Sequence, residues 1–129
     1  MTEELKKKTQ ETAELYFKGI SGERPSDLWK SFDKELTREI NLFYVGKLYA
    51  REKIPHHVRQ LVTVAALTVL SRTEELRHHL HAALNVGCST EELAEVIFQM
   101  ATYGGMPVVH DALRTFRGVL QEKGLWPVK

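Results

Sequence analysis

The chain has 129 residues, of which 43% are hydrophobic and 27% charged, with a formal net charge of +1. That is ordinary globular composition for one domain and too short for two, so residues 1–129 are read as a single unit, with 1–24 as an N-terminal helix and connector and 25–124 as the core. Basic residues are interleaved with acids, which gives no basic stripe and excludes nucleic acid as an expected partner.

The pattern is helical almost throughout and predicts an all-α fold of about six helices. The first runs from Glu3 to Lys18, with Leu5, Ala13, Tyr16 and Phe17 on its apolar side and Gly19 and Gly22 ending it. The stretch Met1 to Gln10 is charged and lacks the apolar centre of a signal peptide. The second helix starts near Pro25 and continues to Arg51, carrying Leu28, Phe32, Leu36 and Ile40 as one stripe, then Phe43, Tyr44 and Leu48. Pro55 suits the start of a third, whose Val58, Leu61, Val62, Ala65, Ala66, Val69 and Leu70 are apolar nearly all round and predict the central helix. Its apolar run is about half the length of a bilayer span, so no membrane partner is expected.

Ser71 and Glu74 have capping-box spacing and open the fourth helix, which Gly87 closes. Ser89 and Glu92 repeat the pattern for the fifth, whose core side is Leu93, Val96, Ile97 and Met100. Gly104 and Gly105 break it, and Pro107 opens the sixth, with Val108, Ala112, Leu113, Phe116 and Leu120 inside and Gly124 at its end. The apolar tail Leu125-Trp126-Pro127 is expected to dock on the body or on another subunit.

The fourth helix carries the candidate chemistry. Glu75 precedes His79 by one turn, with small residues at Ala82 and Ala83 beside them, so a carboxylate, an imidazole and open space share a face. A carboxylate that holds a histidine raises its pKa and fixes its tautomer. The same spacing also fits a purely structural pair at the edge of the core. On the helical wheel Leu76, Leu80, Ala83 and Leu84 form the core stripe, while His78 and His81 point the other way, toward solvent or a partner subunit. Glu75-x-x-His78 has the spacing of a di-iron motif, but no second copy exists, so no metal is expected. His56 and His57 read as exposed or interfacial. Arg51, Arg59 and Arg72 are candidate anion binders, since a guanidinium grips a carboxylate through two parallel hydrogen bonds. Tyr103, Gly105 and His110, around the two-glycine break, are candidate pocket walls. Cys88, the lone cysteine, excludes an intramolecular disulfide and fits a cytoplasmic chain.

Four stretches, in order, resemble the carboxymuconolactone decarboxylase family, the all-helical superfamily that includes the AhpD-type alkylhydroperoxidases. They are Phe32 to Thr37 with Gly46 and Arg51; Arg59 to Leu67; Glu75 to His79 with Ala82 to Gly87; and Ser89 to Val96 running into Tyr103 to Pro107. In the peroxidase branch the resemblance would put paired cysteines at Arg72 and Glu75 and a relay glutamate at Gln60, and all three differ here. The resemblance therefore implies the decarboxylase branch: an AhpD-like fold, a small carboxylated lactone of the β-ketoadipate route as substrate, and no cofactor. It gives anion binding to Arg51 or Arg72 and proton delivery to His79 supported by Glu75. It also implies a homo-oligomer, a trimer or hexamer. An alkylhydroperoxidase-like peroxide reductase and a non-catalytic oligomeric binding protein remain the alternatives.

Overall fold

The computed structural model describes residues 2–128, and Met1 and Lys129, the ends of the expected domain, lie outside the described residues. The protein is all-α, with no strand among the described residues. Its elements are α1 (Thr2–Phe17), α2 (Pro25–Lys30), α3 (Lys34–Asn41) running into a π-helical segment (Leu42–Tyr49), α4 (His56–Val69), α5 (Thr73–Asn85), α6 (Thr90–Gln99), α7 (Ala101–Gly104) and α8 (Met106–Glu122). None of these helices is long and apolar enough to cross a membrane.

α5 is the most enclosed helix. It packs against α1, α4 and α8 and buries Leu76, His78, Leu80, His81, Ala82 and Ala83. α4, expected to be central, buries Gln60, Val64 and Thr68 and leaves Val62 and Leu70 exposed. An apolar sequence all round a helix did not translate into burial all round it, because the face of α4 carrying Val62, Ala66 and Leu70 stays uncovered. The core joins Val64, Leu76 and Leu80 to Leu93 and Ile97 of α6 and to Val109, Phe116 and Val119 of α8.

The expected second helix is broken. Asp33 caps α3 by accepting the Leu36 N–H at 2.9 Å, so the chain restarts there. The stripe that masked this cap is not buried: Phe32 is 86% exposed, and Leu28 and Leu36 are also exposed. Beyond α3 the ladder slackens to π spacing, with Ala50 N–H donating to Val45 C=O at 3.0 Å. Gly46 lies in this segment where α1 crosses it, and a Cβ there would collide with the Thr9 side chain.

Helix ends vary in how they follow the sequence. Ser89 and Glu92 form the expected capping box, at 2.8 and 3.0 Å. Gly87, at φ 102°, closes α5 with the Cys88 N–H on Ala83 C=O. At the other end of α5 there is no capping box. Ser71 adopts φ 59°, and α5 starts after Arg72 without a side-chain cap. Trp126 and Val128 of the tail line a hollow of about 460 Å³ against α6 and α8.

Candidate active site

A cavity of about 390 Å³ opens between α1, the α2–α3 region, the π-helical segment and α5. This is the size range of small-molecule sites. Phe17, Ile20, Trp29, Ile40 and Val45 make its walls apolar; Arg24, Asn41, Glu75, His78 and His79 are its polar points. The π-helical segment adds Tyr44 and Tyr49.

His79 is held from below by α4. Its Nδ1 lies 3.2 Å from Gln60 Oε1. A carbonyl oxygen only accepts, so Nδ1 carries the proton and Nε2 keeps the lone pair. The ring packs edge-on to Phe17 at 5.8 Å and tilted to Tyr49 at 6.3 Å. Gln60 is fully buried, and its Nε2 has no hydrogen-bond partner.

The sequence suggested that Glu75 would hold His79 and raise its pKa. Glu75 does line the cavity, but His79 takes its hydrogen bond from Gln60. Burial lowers the His79 pKa to about 4; His78 adds to that, and Glu75 opposes it too weakly to win. The imidazole is therefore neutral near neutral pH.

His78 and His81 do not face solvent as the wheel suggested; they are 6% and 4% exposed. With α1 on one flank of α5 and α8 on another, both sides of the apolar stripe are covered. His78 lines the same cavity as His79, and its Nε2 accepts from Arg77 Nη2 at 3.3 Å. His81 Nε2 donates to Glu122 on α8 at 3.1 Å. Burial lowers the pKa of both.

The other residues singled out from sequence do not line this cavity. Arg51 and Arg72 are exposed. Arg59 is half-buried, donates to the Arg51 carbonyl at 2.9 Å, and leaves its Nε buried without a partner. Tyr103 is exposed, Gly105 adopts φ 87° at the start of α8, and His110 is exposed on α8. Arg24, Trp29, Tyr44 and Tyr49 enter the site without any sequence signal. Gln60 had one, as the position of the relay glutamate in the resembling family.

His56, expected at the surface or an interface, pairs with the buried Tyr16, whose hydroxyl shares a hydrogen bond with Nδ1 at 2.6 Å. Burial pushes the Tyr16 pKa up to about 12, which keeps that hydroxyl protonated. Cys88 is buried, donates to the His57 carbonyl at 3.3 Å, and has its pKa pushed up to about 11 by burial. It stays a thiol, and the thiolate is the nucleophile that peroxide chemistry needs. Among the described residues no three His, Cys, Asp or Glu side chains gather as a metal site.

The sequence model of the carboxymuconolactone decarboxylase family matches residues 35–117, which leaves α1 and α2 outside the match. A 4-carboxymuconolactone decarboxylase of Acinetobacter baylyi is 36% identical over 98 residues, covering 76% of this chain and 73% of that protein. An uncharacterized 15.0 kDa protein from the nqo9-nqo10 intergenic region of Paracoccus denitrificans is 37% identical over 82 residues, covering 62% of this chain and 61% of that one.

Proposed function

The chain belongs to the carboxymuconolactone decarboxylase family, and from that premise we propose that it is a cofactor-free decarboxylase of 4-carboxymuconolactone or a similar small carboxylated lactone. The observation that carries the reading is His79, a neutral imidazole in a mostly apolar cavity that also holds Glu75 and Arg24.

The bond from the ring to the carboxylate carbon breaks and CO₂ leaves. The electron pair delocalises onto the lactone carbonyl as an enolate, which then takes a proton at carbon. With Nδ1–H engaged by Gln60, Nε2 is the atom of His79 that exchanges a proton with the guest. An anionic guest beside it favours the imidazolium and supplies the driving force for Nε2 to collect a proton from solvent first. Apolar walls strengthen each of these charge interactions. Glu75, on the same wall, favours the same charged state of His79.

Purified protein mixed with 4-carboxymuconolactone and assayed for CO₂ tests the reading. Release by the wild type that is lost in His79→Ala is expected, and no release from any carboxylated lactone overturns it. One observation favours a second reading, an oligomeric binding protein without turnover: Glu75 does not hydrogen-bond the imidazole it was expected to orient. Saturable lactone binding with no CO₂ would establish that one instead. In either reading we propose a homo-oligomer, trimer or hexamer. The exposed Leu28, Trp29, Phe32, Leu36 and Phe43 support it, as large apolar side chains left uncovered between α2 and the π-helical segment.

A further inference from the structure

Resting on the reading that the guest is an anion, we infer that Arg24 grips a carboxylate that stays on the guest, so that the cavity selects lactones carrying a second carboxylate. Arg24 is the single arginine or lysine among the residues lining the cavity. It lies outside the span matched by the family's sequence model.

Its cation is available. Among the described residues no carboxylate comes within ion-pair distance of its guanidinium. Arg77, on the neighbouring stretch of α5, is instead engaged by Glu74 at 3.7 Å and Glu122 at 3.6 Å. The nearby Asp27 carboxylate accepts the Arg24 backbone N–H at 3.2 Å. The side chain is also aimed. Nη2 donates to the Phe17 carbonyl at 2.8 Å. That carbonyl ends α1, where backbone oxygens lack helical partners and attract cations. One donor of the fork is used, which leaves the others for a bidentate carboxylate. The guanidinium is also among the groups that lower the His78 pKa, so its field reaches the α5 wall.

Phe17 joins the two ends of the site. Its carbonyl fixes Arg24 and its ring packs against His79. A guest lying along Phe17 meets the guanidinium at one end and the imidazole at the other. The gripped carboxylate must be the one that remains. An ion pair to the departing group would stabilise the reactant more than the transition state and slow the reaction.

The test is calorimetric titration of the full-length protein with two inert probes, a saturated γ-lactone bearing an acetate arm and its methyl ester. Wild type is expected to prefer the acid by about tenfold or more, the range for a charge-assisted pair. Arg24→Gln should abolish the preference, Arg24→Lys should keep part of it, and Arg51→Gln should leave it intact. With 4-carboxymuconolactone, Arg24→Gln should raise KM about tenfold with kcat nearly unchanged. Circular dichroism confirms folding, and if Arg24→Gln does not fold, Arg24→Lys and the acid/ester ratio of wild type decide. Acid preference that survives in Arg24→Gln, matches the wild type in Arg24→Lys, or is absent from wild type overturns the assignment. Because the probes are inert, acid preference without CO₂ release from 4-carboxymuconolactone overturns only the decarboxylase reading. Turnover with an unchanged KM in Arg24→Gln overturns only this one.

Discussion

Gln60 accepts a hydrogen bond from His79 across 3.2 Å, tying a fully buried amide on α4 to the imidazole on α5. The pair fixes which ring nitrogen faces the cavity. Glutamine cannot ionise, so it orients the imidazole without supplying a charge to raise its basicity.

The histidines of α5 should separate by readout. His79→Ala is expected to lower kcat by about 10²- to 10⁴-fold, the usual span for a lost acid–base group. His81→Ala removes the partner of Glu122 and leaves a hole beside α8, so it should cost roughly 1–3 kcal/mol of stability and leave kcat alone. Steady-state assays paired with urea unfolding check both. Equal losses of kcat would remove His79 from its special role.

The pH profile follows from the His79 value of about 4 in the free protein. If the imidazolium gives the proton, kcat/KM reports its fraction in the free enzyme, which falls tenfold per pH unit above that value. A line of slope −1 through the neutral range is therefore expected for log kcat/KM. The break in kcat should lie higher, because bound anion raises the pKa of the complex. A kcat/KM that is flat across neutrality would exclude His79 as the acid.

Cys88→Ser tests the peroxidase alternative. The thiol is buried, with its pKa raised to about 11. Decarboxylation should be unchanged within about twofold, and neither protein should turn over alkyl hydroperoxide in a coupled thiol assay. Peroxide turnover that disappears with the sulfur would reinstate that chemistry.

Gly46→Ala probes the seat of α1. The new methyl meets the Thr9 side chain, whose hydroxyl already bonds the Leu5 carbonyl at 2.6 Å. Moving Thr9 breaks that bond, so a loss of about 1–3 kcal/mol is expected, as for overpacked sites. Chemical denaturation measures it, and an unchanged midpoint would mean that α1 shifts freely over the π-helical segment.

What was legible in the sequence was mostly local. The capping box at Ser89, the glycine stop at Gly87 and the apolar stripe of α5 are set by residues within a turn or two of each other. The break at Asp33 is also local, but a regular spacing of apolar residues hid it. The burial of His78 and His81 was not legible, because it depends on α1 and α8 arriving from distant parts of the chain. Arg24 sat in what read as a connector, and its meaning appears only once the end of α1 supplies an acceptor. Gln60 came from the family resemblance, whereas its contact with His79 needed the packing of α4 on α5.

α1 and α2 form one side of the cavity, yet the family's sequence model matches only residues 35–117. The cavity is thus walled partly by the family-matched span, which supplies His78 and His79, and partly by a leading segment outside it. Two cousins sharing the helix with the imidazole can enclose different molecules, depending on what their leading segments lay across it. Exchanging that segment between relatives would be a direct route to retuning what the shared scaffold accepts.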